Sequence, residues 1–150
     1  MKMLVCVDGS KQSMKAVEEA IKIAGGCSIS DISLLYVYES SMGRFPWVGE
    51  EQRITAQDIE RFKKILEQDK EKHKEVLANA KKPFTEHNMD VQTIFEEGHP
   101  ADTIVRVANE GEYDMVVLGS RGLGGLKKLL LGSVSSAVIQ EVKSNVVVVK

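Results

Sequence analysis

With 150 residues, 43% of them hydrophobic and 28% charged, the chain is long enough to bury one core without metal or disulfide support, and one domain over 1–150 is expected. The 20 Lys and Arg side chains against 22 Asp and Glu give a net charge of -2, which excludes a strong electrostatic pull toward nucleic acid or anionic lipid. No apolar run approaches the ~18 residues of a membrane span, and the short run after Met1 lacks the length and cleavage site of a secretory signal, so a cytoplasmic protein is expected.

Lys2 to Val7 is an apolar run closed by Asp8-Gly9-Ser10, a strand followed by turn chemistry. From Ser13 the period changes: Met14, Val17, Ile21 and Ala24 form the stripe of an amphipathic helix, and Gly25-Gly26 is expected to end it. Ile29 to Tyr38 reads as a strand buried on both faces. Glu39 to Thr55, with Gly43, Pro46 and Gly49, reads as a long loop. Ala56 to about Ala80 is rich in Lys, Glu and Gln, with Ile59, Phe62, Leu66, His73, Val76 and Ala80 near helical spacing, and Pro83 is expected to kink or end that helix.

A third strand follows at Val91 to Phe95, a helix at Pro100 to Asn109 with proline in its first turn, and a fourth strand at Met115 to Leu118. Ser133 to Val142 and Val146 to Val149 complete the pattern as helix and strand. Five strands alternating with four helices give an α/β domain whose mostly parallel, open sheet carries helices on both faces. Cys6 and Cys27 stand in no metal-ligand or Cys-x-x-Cys spacing, so one is read as a buried strand residue and the other as a surface thiol.

Ligands of an open parallel sheet bind beyond the carboxyl ends of its strands. Two turns fall there. One is Val7-Asp8-Gly9-Ser10, and the other is Gly119-Ser120-Arg121-Gly122, running on through Gly124 to Gly132-Ser133 at a helix start. Gly119 and Gly122 let backbone N–H groups approach an anion closely, and a helix beginning at Ser133 offers free N–H groups and a positive dipole end. Arg121 adds positive charge, with Lys127 or Lys128 as further candidates, and the Ser133 and Ser135 hydroxyls can donate to phosphate oxygens. Neither a Walker A loop nor the Gly-x-Gly-x-x-Gly dinucleotide fingerprint is present. The residues by themselves reach a phosphate-bearing ligand and go no further.

The spacing Gly119-x2-Gly122-x9-Gly132-Ser133 resembles the ATP-binding signature of universal stress proteins, and the likeness spans the whole chain, including Asp8, Tyr36-Val37-Tyr38 and Glu97-Gly98-His99-Pro100. That resemblance implies a Rossmann-like sheet of the adenine nucleotide alpha hydrolase type, ordered 3-2-1-4-5, and a homodimer pairing the last strands of two subunits. It implies ATP as ligand, with Mg²⁺ arriving on the nucleotide and AMP or ADP as alternatives. Carried over by position, Asp8 lies near the ribose or an associated metal, and Val37 meets the adenine through its backbone. Val7, Gly9 and Ser10 belong to the same turn as Asp8. Gly119, Ser120, Arg121, Gly122, Gly132, Ser133, Val134 and Ser135 hold ribose and phosphates. Asn145, where the family usually has proline, and Pro83 depart from the pattern.

Other features have plainer readings. His73, His87 and His99 share no metal-ligand spacing and read as surface or helix-end residues. The Lys and Glu run from Glu60 to Lys82 reads as a solvated helix face. Phe45-Pro46-Trp47 is an apolar cluster in the long loop, read as packing back on the domain or serving as a lid or partner contact. Val146 to Val149 would be an aggregation hazard if bare, and a dimer would cover it. The leading functional expectation is a nucleotide-dependent regulatory or stress-response module with little turnover and an unidentified protein partner. The alternatives are a slow ATPase, for which the sequence offers no convincing general base, and a nucleotide-free dimerising scaffold. An ATP pyrophosphatase-type enzyme is disfavoured, because the first loop reads Val-Asp-Gly-Ser.

Overall fold

Side chains of the first strand, β1 (Lys2–Val7), alternate between two cores and so set the layering: Val5 and Val7 point into one cluster, Leu4 and Cys6 into the other. The computed structural model describes residues 1–39, 55–123 and 131–150; residues 40–54 of the loop read at Glu39 to Thr55, with Phe45-Pro46-Trp47, and the tract 124–130, with Gly124, Lys127 and Lys128, lie outside the described residues. The remaining elements are α1 (Lys11–Cys27), β2 (Asp31–Tyr38), α2 (Ala56–Glu86), β3 (Gln92–Glu97), α3 (Pro100–Glu110), β4 (Met115–Gly119), α4 (Ser133–Glu141) and β5 (Asn145–Val149). The strands form one parallel sheet ordered β3-β2-β1-β4-β5, as expected. α1 and α2 bury Ala16, Val17, Ala20, Leu77, Ala80 and Phe84 against one face, while α3 and α4 bury Ile104, Ala108 and Val138 against the other.

Two helix boundaries differ from the sequence expectation. α1 does not stop at Gly25-Gly26 but runs to Cys27, and Ser28 takes the left-handed position, at φ 52°, that a glycine was expected to fill. Ala24 is buried, and its carbonyl accepts from the N–H of Ser28 and, at 2.9 Å, from that of Ile29, so the helix closes beyond the glycines. A Cβ on Gly25 would lie 3.5 Å from Met89 Cε, an ordinary van der Waals contact, so the glycine neither ends the helix nor is required for its packing.

α2 likewise passes through Pro83 and ends at Glu86. A proline inside a helix costs about 3 kcal/mol, but the flanking Ala80 and Phe84 are both 0% exposed. Burying one phenylalanine is worth about 1.5–3 kcal/mol, which offsets most of that cost, with buried Ala80 adding to it. The expected apolar stripe of α2 holds only in that C-terminal half. Ile59 and Phe62 are 48% and 36% exposed, and the buried residues are Leu77, Ala80 and Phe84. Length explains the split: 31 helical residues reach ~47 Å, whereas the 8 residues of β2 span ~26 Å. The N-terminal half therefore overhangs the sheet. A capping box, with Asp58 N–H on Thr55 Oγ1 at 3.2 Å and Thr55 N–H on Asp58 Oδ2 at 3.0 Å, closes its free end.

Asn145 opens β5 by donating its backbone N–H to Asp114 O at 3.0 Å, a bond that proline at this position would lack.

Candidate functional site

The carboxyl ends of β1, β2 and β4 meet the N-termini of α1 and α4 around a cavity of about 570 Å³. Its two walls differ because the strands present alternate side chains to opposite faces. On the α3/α4 side the wall is apolar, built from Cys6, Leu35, Val37, Ile104, Leu118 and Val134. On the α1/α2 side it carries Tyr36, Tyr38 and His73, with Asp8 at the end of β1. The glycine-bearing turn after β4 and the start of α4 close one end with Gly119, Arg121, Gly122, Gly132, Ser133 and Ser135.

The turn after β1 is held by its own side chains. Ser10 N–H donates to Asp8 Oδ1 at 2.9 Å, and Ser10 Oγ caps α1 by accepting from Ser13 N–H at 3.1 Å. Ser10 Oγ also reaches the carbonyl of Arg121 at 3.3 Å, joining the two turns. The second oxygen of Asp8 faces Gly122: a Cβ built there would stand 2.6 Å from Asp8 Oδ2. Gly119 is tighter, since a Cβ would meet Gln12 C at 2.7 Å and Ser13 N at 2.9 Å, both backbone atoms of α1. Both glycines thus serve close approach. The left-handed backbone in this region belongs to Gly9, at φ 82°, which packs under Val76 of α2.

The phosphate-like end is assembled from backbone. Ser120 N–H donates to Val149 O at 2.7 Å, and Gly132 N–H donates to Ser120 O at 2.8 Å, fixing the start of α4 beside the end of β4. Among the described residues no side chain caps α4, and the N–H groups of a helix's first turn have no intrahelical acceptor, so these donors face the cavity end. Arg121 Nε is buried and has no hydrogen-bond partner among the described residues. A buried donor of this kind is costly unless something accepts from it, and an anion at the α4 N-terminus would. Ser135 Oγ already donates to Gly119 O at 2.9 Å, so its proton is committed to the protein, contrary to the expectation that it donates to a ligand.

Ten of the sequence-predicted residues line the cavity: Val7, Asp8, Val37, Gly119, Arg121, Gly122, Gly132, Ser133, Val134 and Ser135. Gly9, Ser10 and Ser120 stand behind it as turn, cap and strand-end residues, and Gly124 lies outside the described residues. Sequence reasoning placed His73 on the surface or at a helix end. It sits mid-helix and half-buried, hydrogen-bonded through Nδ1 to the Tyr36 hydroxyl, with Asp69 Oδ1 at 3.7 Å from Nε2. Tyr38 donates its hydroxyl to Asp69 Oδ2 at 2.8 Å, and Lys70 pairs with Glu97. Phe95 stacks on both tyrosines, its ring centre 5.7 Å from Tyr36 and 6.0 Å from Tyr38. Burial, then the Asp69 hydrogen bond and nearby negative charges, push the Tyr38 hydroxyl up to about 12. Burial and the charges of Asp8 and Asp69 also raise that of Tyr36, and burial alone pushes the Cys6 thiol up to about 12. Among the described residues no group of three or more His, Cys, Asp and Glu side chains is placed to hold a metal ion.

Comparison with known proteins gives a consistent picture. The model of the universal stress protein family matches residues 1–150. Universal stress protein YxiE of Bacillus subtilis is 35% identical over 147 residues, covering 93% of this chain and 91% of YxiE. Among solved structures, that of the protein MJ0577, described as a structure-based assignment of biochemical function, superposes with a TM-score of 0.78 at 26% identity, covering 99% of this chain and 94% of the other. A universal stress protein in complex with cAMP superposes at 0.69 with 24% identity, covering 100% and 97%.

Proposed function

Since this chain belongs to the universal stress protein family, we propose that it is an ATP-binding regulatory or stress-response module that holds its nucleotide with little or no turnover. The observation that carries the reading is the buried Nε of Arg121, without a hydrogen-bond partner among the described residues, near the N-terminus of α4, which no described side chain caps. Together they make an anion site whose donors are already in place. Gly122 keeps the space between this end and Asp8 clear, and the apolar wall of Cys6, Leu35, Val37 and Ile104 suits the face of a purine. Phosphates lie against Gly119, Arg121, Gly122, Gly132, Ser133 and Val134. The ribose lies toward Asp8, and the base toward Val37. Mg²⁺ enters as part of the nucleotide, and AMP or ADP fits the same base and ribose positions. A relative of the same fold solved with cAMP supports the adenine-nucleotide assignment.

β5 lies at the end of the sheet with its outer edge unpaired among the described residues, and its valines are only half-buried. We extend the reading to a cytoplasmic homodimer joined along that edge. Sedimentation equilibrium tests it: a mass near twice 16.6 kDa supports pairing, and a monomer at micromolar concentration refutes it.

The nucleotide reading is tested by denaturing the purified protein, identifying released nucleotide by chromatography, and titrating stripped protein with ATP and Mg²⁺ in a calorimeter. Stoichiometric ATP or tight rebinding supports it. An empty protein that ignores ATP refutes it and leaves a dimerising scaffold.

A further inference from the structure

α2 changes character at the cleft. From Ala56 to Gln68 none of its residues is buried, and Ile59 and Ile65 are 48% and 55% exposed, whereas from Leu77 onward it is anchored by Leu77, Ala80 and Phe84. Between the two halves lies one turn, Asp69 to His73, whose side chains clamp the helix to the strand ends. Asp69 accepts from Tyr38, Lys70 pairs with Glu97 at the end of β3, and His73 bonds Tyr36. Tyr36, Tyr38 and His73 also form the polar wall of the cavity. The same side chains therefore touch the ligand space on one side and hold the overhanging half of α2 on the other.

We propose that this clamp makes the exposed half of α2 the readout of nucleotide occupancy, so that a ligand packed against Tyr36, Tyr38 and His73 tightens the clamp and orders residues 56–68. The inference rests on the nucleotide reading above and names its regulation. A helical segment with no buried side chains opens locally at low free energy. A ligand that immobilises the residues at its root shifts that opening equilibrium without a new contact along its length. The clamp bonds are half-exposed, so the coupling belongs at the weak end of the usual range, about fivefold. Linkage requires the same factor in both directions: occupancy slows opening of residues 56–68, and loosening the clamp weakens ATP by no more than that.

The experiment is hydrogen exchange by mass spectrometry on the full chain, with and without saturating ATP and Mg²⁺, beside calorimetry on the same samples. The wild type is expected to show exchange of residues 56–68 slowed on the order of fivefold by ATP. Asp69→Ala combined with Lys70→Ala removes two of the clamp's three ties without altering a cavity-lining side chain. In this variant ATP still binds, within about fivefold of wild type, and most of the slowing at 56–68 is lost. Glu97→Gln, which removes one ion pair, gives an intermediate loss. ATP bound by calorimetry with unchanged exchange at 56–68 overturns the inference alone, as does equal slowing in the clamp variant. Failure of the wild type to bind ATP overturns it together with the reading it rests on.

Discussion

Gly119 and Gly122 belong to the same turn, yet the structure assigns them different work, and a matched pair of substitutions separates the two. A methyl on Gly119 meets Gln12 C at 2.7 Å and Ser13 N at 2.9 Å. Both are backbone atoms at the start of α1, so relief requires β4 and α1 to separate. Overpacking of this kind costs about 1–3 kcal/mol, which for a domain of this size lowers Tm by about 2–4 °C per kcal/mol. A side chain on Gly122 meets Asp8 Oδ2 at 2.6 Å, the far end of a side chain that can turn away. Its backbone needs no left-handed conformation, so the fold tolerates the change while the added atoms enter the ligand space.

Gly119→Ala is therefore expected to melt several degrees below wild type. Gly122→Val is expected to melt within a degree or two of it and to lose ATP binding. Differential scanning calorimetry and ATP titration on the two variants supply the comparison. Gly122→Val melting as low as Gly119→Ala would make both glycines structural, and Gly122→Val binding ATP like the wild type would remove the turn from the site.

Arg121→Ala should weaken ATP about 10- to 150-fold, the worth of one hydrogen bond to a charged group at about 1.5–3 kcal/mol. Tm should hold or rise, because the substitution removes a buried donor that has no partner among the described residues; a lowered Tm with unchanged ATP affinity would make the residue structural. Arg121→Lys, read by the same titration, should recover only part of the loss, since an ammonium lacks the guanidinium's fixed fork. Stability should fall in alkali. Tyr38 ionises at about 12 in the folded protein against an ordinary 10.0, and Cys6 at about 12 against 9.0, so above these ordinary values the unfolded chain gives up its protons first. The stabilisation is complete below about pH 9 and is lost as the pH rises toward 12. Urea midpoints at pH 8 and pH 11 measure it, and Tyr38→Phe should reduce the difference.

The sheet order came only with the family resemblance; pattern in the sequence carried the succession of strands and helices, because alternation and helical spacing are local. It misplaced the ends of α1 and α2 for a shared reason. Gly25 and Pro83 are local signals to stop, worth about 1 and 3 kcal/mol against a helix. They were overridden by contacts from residues distant in sequence: Met89 beside Gly25, and the sheet under Ala80 and Phe84. The overhang of α2 was equally hidden, since the spacing of Ile59 and Phe62 shows a stripe but not how far the sheet beneath it extends.

The candidate site divides along the same line. Its anion end is largely backbone, and where a Cβ would stand 2.6–2.7 Å from a carboxylate or from another backbone, as at Gly122 and Gly119, one residue type is left, so spacing alone marked those two glycines. Its polar wall is made of side chains paired across 31 and 37 residues, Tyr38 with Asp69 and Tyr36 with His73, and no local pattern announces such pairs. The two ends are therefore free to vary under different constraints. On the proposed reading, a change in the glycine turn is expected to decide whether a nucleotide is held, while a change at Asp69 or Lys70 leaves the cavity lining intact, weakens the nucleotide by no more than about fivefold and acts mainly on what α2 does in response.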